Sequence, residues 1–244
     1  MKIERKIISN FLKKILLGGG VQECVADFCD DGLKILVSNV SNTAMINGLL
    51  KKEIFIEYES IGKIGIVMLD KLISIISNGF DDDIIEIKIE GNVLVIKSSN
   101  GNRIVETELA SIEVLTIPKF DNTEFKKSIN FKIDCKIINN LISKINNINR
   151  ECNIKLELKE KNKFVISNSG TYRFTEKIII SELDISEDQN VEVKFGEPFF
   201  ESIKMLDSDI QFYVRTDYPV FIVEEIGNES KIEILVAPRV NNDE

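Results

Sequence analysis

KIISNFLKKI (residues 6–15) and KIINNLISKI (residues 136–145) are near copies of one another, 130 positions apart. In the first, Ile8, Phe11, Leu12, Ile15 and the following Leu16 recur at the i, i+3, i+4, i+7, i+8 spacing of a helix with one buried stripe. Lys6, Asn10, Lys13 and Lys14 then fall on the opposite side. In the second, Ile138, Leu141, Ile142 and Ile145 turn inward, while Lys136, Asn140, Ser143, Lys144 and Asn147 turn outward. Both polar faces carry lysines and no acid.

Two weaker helices fit the intervals: LDKLISIISNG from Leu69, and PFFESIKMLDS from Pro198, where proline occupies the N1 position it favours. Helix starts at 6, 69, 136 and 198 are 63, 67 and 62 residues apart, a regularity that marks an internal repeat. Around each helix the sequence alternates with period two, as half-buried strands do. QECVADF, LKILVSN and TAMINGLLK follow the first helix; IIEIKIE, VLVIKSS and RIVETEL, joined through Gly91-Asn92 and Asn100-Gly101 turns, follow the second. CNIKLELKE, KFVISNSG and RFTEKIIIS follow the third. The fourth is preceded by VEVKFG and followed by IQFYVRT, PVFIVEEI and KIEILVAP. Each unit reads β-α-β-β-β, and four units pair into two similar α+β domains. ASIEVLTIPKFDNTEF (residues 110–125), with Pro118 and then a polar stretch without periodicity, is the connector. This places domains at 1–112 and 128–244, with an interdomain loop over 113–127.

The 244 residues are enough for two such domains, each with an adequate core. Charged residues at 29% and hydrophobic ones at 43% exclude a disordered chain. No apolar run approaches the roughly 18 residues of a spanning helix, and the first 14 residues lack a signal peptide's apolar core, so an intracellular protein is expected. Cys24, Cys29, Cys135 and Cys152 form no CxxC pair and histidine is absent, which removes the usual zinc spacings and the commonest general base. Neither a GxxxxGK[ST] nor a GxGxxG loop is present. No catalytic residue, metal or cofactor is expected; the chain reads as a non-enzyme.

A net charge of −9 argues by itself against a nucleic-acid partner, but its distribution argues the other way. Helices one and three (6–17 and 136–150) hold Lys6, Lys13, Lys14, Lys136, Lys144 and Arg150 without an acid, a charge of +6. Helix two adds Asp70 and Lys71, and helix four adds Glu201, Lys204 and Asp207, so the four helices sum to +5 and −14 is left elsewhere. A protein that grips a polyanion on one surface and repels it from the others segregates charge in this way.

FLKKIL (11–16), DDGLKILVSNVSNTAMI (30–46), EVLTIP (113–118), DYPVFI (217–222) and VAPR (236–239) occur in the order and spacing of the DNA sliding clamps of the proliferating cell nuclear antigen (PCNA) type, which the chain resembles along essentially its whole length. The resemblance implies the DNA-clamp fold: a homotrimeric ring whose helices line a central hole for double-stranded DNA. It implies a polymerase processivity factor that encircles the duplex without sequence preference. Its partners would be DNA polymerase, other proteins with a clamp-binding motif, and a clamp loader.

Lys13, Lys14, Lys136 and Lys204 fall where that family has pore-lining cations, and helical spacing adds Lys71, Lys144 and Arg150 to the expected DNA-binding set. Ser74, Ser77 and Asn139 stand where the family has further basic residues. A hydrophobic pocket for partner peptides is implied at Met45, Leu115, Ile117, Pro118, Pro219, Ala237 and Pro238, with Leu115, Ile117 and Pro118 exposed on the connector. Ser38 and Leu235 replace a more usual methionine and aromatic there. Ring closure is implied through edge strands, with Ile104, Val105 and Glu106 of RIVETEL meeting Lys177, Ile178, Ile179 and Ile180 of RFTEKIII in the next subunit. Competing readings are a checkpoint-type or paralogous clamp subunit that acts only in a hetero-oligomer, and a duplicated β-rich interaction protein without a DNA role. A clamp would act in the cytoplasm, nucleoid or nucleus according to its source. The richness in Ile, Asn and Lys fits a virus-encoded protein in a host cell as well as a cellular one.

Overall fold

The computed structural model describes residues 1–78, 84–99, 101–121, 125, 128–148, 154–158, 163–168, 175–179 and 191–239. Four repeats follow one another, each a strand, a helix and three strands. The first is β1 (Lys2–Glu4), α1 (Arg5–Ile15), β2 (Glu23–Cys29), β3 (Gly32–Ser38) and β4 (Ala44–Lys51). The second is β5 (Gly62–Val67), α2 (Leu69–Asn78), β6 (Ile84–Glu90), β7 (Val93–Ser98) and β8 (Ile104–Glu108). The third is β9 (Ile129–Ile133), α3 (Cys135–Ile148), β10 (Ile154–Leu158), β11 (Lys163–Asn168) and β12 (Thr175–Ile179). The fourth is β13 (Glu192–Phe195), α4 (Glu197–Lys204), β14 (Ile210–Val214), β15 (Val220–Gly227) and β16 (Ser230–Val236). This is the α+β order that the periodicity predicts.

The chain divides into two compact units. One comprises Met1–Val40, Ile46–Phe120 and Ile226–Ile232; the other comprises Ser41–Met45, Asp121–Glu225 and Glu233–Glu244. Within each, neighbouring repeats exchange their first strands. In the first unit β1 pairs with β6 of the second repeat, giving the order β1-β6-β7-β8, and β5 pairs with β2 of the first repeat, giving β5-β2-β3-β4. The second unit repeats the exchange, as β12-β11-β10-β13 and β9-β14-β15-β16. Each repeat's three-stranded meander is thus completed by a strand of its neighbour, so neither repeat can close its sheets alone.

The cores form where helices meet both sheets. In the first unit a small apolar cavity of about 30 Å³ is lined by side chains of α1 and α2, of β2, β3 and β5, and of β6 and β7, among them Ile8, Leu72, Phe28 and Ile87. The second unit uses rings instead: Phe131 of β9 stacks on Phe212 of β14 at 5.4 Å and lies 4.8 Å from Phe164 of β11, while Phe199 of α4 stacks on Phe195 of β13 at 5.0 Å. Burying each such side chain contributes roughly 1.5–3 kcal/mol. Glycine is required where the chain doubles back from β2 to β3: Gly32 has φ 136°, and a Cβ there would collide with the Leu50 carbonyl oxygen.

Candidate functional site

Each unit carries a pair of helices whose inner faces are apolar and whose partners are fixed by specific polar bonds. In the first unit Ser9 of α1 and Ser77 of α2 share a hydrogen bond between hydroxyls, and Arg5 Nη1 donates to the Ser77 carbonyl. In the second, Cys135 Sγ donates to the Leu206 carbonyl at 2.8 Å, and Asn139 Nδ2 reaches the same oxygen at 3.3 Å. The Asp134 carboxylate accepts the Lys136 backbone N–H at 2.7 Å and so caps α3. Ser9 and Asn139 are separated by the same 130 residues as the two duplicated stretches. Ser77 and Asn139, at positions where the resemblance expects cations, thus tie α2 to α1 and α3 to the segment just after α4; Ser74 is exposed.

Outward from these pairs, exposed lysines gather on α1 and α3. Lys6 and Lys13 are exposed with Asn10 between them, and Lys136 is exposed near Asn140 and Ser143. Lys6, Lys13 and Lys136 have no ion-pair partner among the described residues. Lys71 is also exposed, its ammonium 3.6 Å from Met68 Sδ.

Three expected cations differ from that picture. Lys14 is 4% exposed, so it does not present its ammonium on the outer face. At about 100° per residue it lies about 110° from the centre of the Ile8–Phe11–Leu12–Ile15 stripe, on the flank, whereas Lys13 lies about 150° away. Lys144, on the same flank of α3, pairs with Glu176 of β12 at 3.0 Å. Lys204 pairs with Glu201 one turn earlier on α4, at 2.8 Å. Arg150 lies outside the described residues.

The residues of the expected peptide pocket divide between the units. In the first, Ile117 is 46% exposed and Pro118 half-buried. Leu115, expected to be exposed, is buried instead, at 9%. It closes the short turn Ile112–Val114 and settles over Gly65 of β5, where any Cβ would come within 2.9 Å of Leu115 Cδ1. Gly65 leaves the room that Leu115 fills, and burying a leucine there stabilises the root of the connector. Val114 beside it is 74% exposed, an apolar connector residue that neither helical nor strand periodicity singles out. In the second unit Met45, Pro219, Ala237 and Pro238 are all half-buried, and the Ala237 N–H donates to the Thr43 carbonyl at 2.8 Å. Leu235 is half-buried as well, as is Ser38 of the first unit. The far end of the connector is held by Phe125, buried against Tyr218 and Phe221.

Both strands named for assembly lie at sheet edges. β8 ends the order β1-β6-β7-β8, and β12 begins β12-β11-β10-β13. Ile104 is 54% exposed, Glu106 and Lys177 are exposed, and Val105 and Ile178 are half-buried. Ile179 pairs with Lys163 in the β11 register, and Ile180 lies outside the described residues. Along β8 the backbone direction is set by two bonds: the Ser98 N–H donates to the Arg103 carbonyl, and the Leu109 N–H donates to the Asn92 carbonyl. Alternation along an antiparallel ladder then turns Val105 and Thr107 toward β7, and leaves the backbone groups of Ile104, Glu106 and Glu108 facing outward. Such an edge is a template for another strand.

Among the described residues no cluster of acids or cysteines could hold a metal ion, and no helix is long and apolar enough to cross a membrane. No protein-family model matches the chain. It is 24% identical to the DNA polymerase sliding clamp of Methanococcus maripaludis over 237 aligned residues, covering 91% of this chain and 92% of the relative. It is 23% identical to the proliferating cell nuclear antigen of Chaetomium thermophilum, covering 97% of each. Among solved structures, A. fulgidus PCNA bound to the C-terminal region of FEN-1 superposes with a TM-score of 0.83 at 20% identity, covering 99% of this chain and 98% of that one.

Proposed function

We infer that this chain, a sliding clamp of the PCNA family, closes as a ring of three copies around duplex DNA and tethers polymerase and other replication proteins to it. The observation that carries this reading is the pairing of lysine-bearing, acid-free outer faces on α1 and α3 with a net charge of −9 for the chain as a whole. Lysines on helices without base-reading side chains suit phosphate contact alone, which positions a duplex and permits sliding. Acidic surfaces elsewhere keep DNA from binding outside the ring. The positions of β8 and β12 at the edges of the described sheets support a heterologous contact that closes after a fixed number of copies. A clamp of this kind acts inside the cell, where its polymerase works.

The direct test is synthesis on a primed single-stranded circle, with the protein, its clamp loader and its polymerase. Product length should rise many-fold over polymerase alone under single-hit conditions. Unchanged product length would reject the processivity role.

Partner capture is proposed at the connector, where Val114 and Ile117 of the first unit are exposed. A peptide with two aromatic anchors should bind there with micromolar affinity, since a few apolar anchors carry most of such binding. Ile117→Ser should weaken it at least tenfold, about 1.4 kcal/mol. Leu115 is a poor choice for this experiment, because its burial over Gly65 makes it structural. Calorimetry showing equal affinity for wild type and Ile117→Ser would place the peptide elsewhere.

A further inference from the structure

We propose, on the premise of the clamp reading above, that contact with DNA phosphates is confined to α1 and α3, and that Lys6 is a principal contact residue together with Lys13 and Lys136. On a helical wheel Lys6 lies about 170° from the centre of the α1 apolar stripe, and Lys136 lies equally far from the centre of the Ile138–Leu141–Ile142–Ile145 stripe of α3. These are the outermost points of the two helices, and the 130-residue offset makes them equivalent positions of the duplicated stretches. Both are exposed and, among the described residues, neither is in an ion pair. Glu4 precedes α1, and Asp134, before α3, is engaged by the Lys136 backbone N–H at 2.7 Å; Asp207, Asp209 and Glu225 line the same cavity as Lys136, but none is in an ion pair with its ammonium. Lys6 and Lys13 are separated by seven residues, about 10 Å along the helix axis, so they reach different phosphates.

The other two helices lack this surplus. The exposed residues of α2 are Asp70, Lys71, Ser74, Ile75 and Asn78, one charge of each sign. On α4, Glu197 and Lys204 are exposed, and Glu201 lies 2.8 Å from the Lys204 ammonium. A carboxylate at that distance cancels the cation's field at the range of a neighbouring phosphate, and its own charge repels the strand. Each unit therefore offers DNA one helix with a surplus of positive charge and one without: α1 beside the neutral α2 in the first unit, and α3 beside the net-acidic α4 in the second.

Binding of a short linear duplex, measured across a salt series, tests this. Each phosphate contact contributes about 0.9 to the slope of log affinity against log salt. Lys6→Ala should reduce the slope magnitude by about 0.9 for every copy in contact. Lys6→Arg should restore it, and Lys71→Ala and Lys204→Ala should leave it unchanged. Glu201→Gln, which releases Lys204 from its carboxylate, should steepen the slope. A Lys6→Ala slope equal to wild type, or losses at Lys71 and Lys204 as large as that at Lys6, would overturn the proposal. A wild-type protein with no salt-dependent duplex binding at all would instead overturn the clamp reading itself.

Discussion

Glu106→Pro is expected to convert a trimeric ring into monomers without unfolding the chain. Wild-type protein in light scattering should show three times 27.7 kDa, and the variant should show the single-chain mass. The prediction rests on the direction of one backbone group. In β8 the bonds from Ser98 to Arg103 and from Leu109 to Asn92 fix which residues turn to β7, so the Glu106 N–H faces away from its own sheet. Proline there spares the β7 ladder but removes one donor from the outward edge and adds ring atoms in the path of an incoming strand. The neighbour's carbonyl, left without a partner on burial, costs about 1–3 kcal/mol at each contact. Three equal contacts close the proposed ring, so the penalty applies three times. Val105→Pro is the control: its N–H faces β7, so it should lower thermal stability as well as assembly. A Glu106→Pro protein that keeps the wild-type mass on dilution would remove β8 from the interface.

The second large effect concerns retention. Replacing Lys6, Lys13 and Lys136 with alanine should reduce direct affinity for short duplexes steeply, because each of these ammonium groups displaces counterions when it meets a phosphate. Trimer mass should not change, since all three side chains are exposed on helices. Once closed on a circular plasmid, however, the triple variant should stay bound at ~1 M salt, where the screening length is about 3 Å and phosphate attraction is nearly abolished. Loading would be impaired and residence on the circle preserved. If the variant instead leaves a circle as fast as it leaves a short linear fragment, the lysines rather than closure hold the DNA.

How much of this is legible without coordinates differs between backbone and side chains. The four helices and the strands around them can be read because apolar spacing reports burial directly, and duplicated stretches such as those at Lys6 and Lys136 align the repeats. The exchange of β1 and β5 between repeats cannot, since alternation along a strand reports which face is buried and not which strand lies beside it. Side chains on the flank of a helix are the weakest point. Lys14 and Lys144 stand about 110° from their apolar stripes, and at that angle a lysine can lie along the core or reach outward. One is buried and the other binds Glu176. The pairing of Lys204 with Glu201 is readable from its i, i+3 spacing, whereas Glu176 comes from a different strand. Leu115 departs from expectation for a related reason: a loop leucine is exposed unless something removes the atoms beneath it, and the absent Cβ of Gly65 does so from 50 positions away.

The central claim is that this protein holds DNA by encircling it, and the measurement that bears on it most directly is release by a single cut. Protein loaded on a covalently closed or nicked plasmid is washed at ~1 M salt, where electrostatic contacts are screened. The plasmid is then opened at one site by a restriction enzyme, and the protein remaining on DNA is counted before and after. Encirclement predicts stable retention on the circle and near-complete loss through the free ends after cutting, with loss prevented when bulky proteins block both ends. Equal retention on circular and linear DNA, or equal loss from both at high salt, would contradict it.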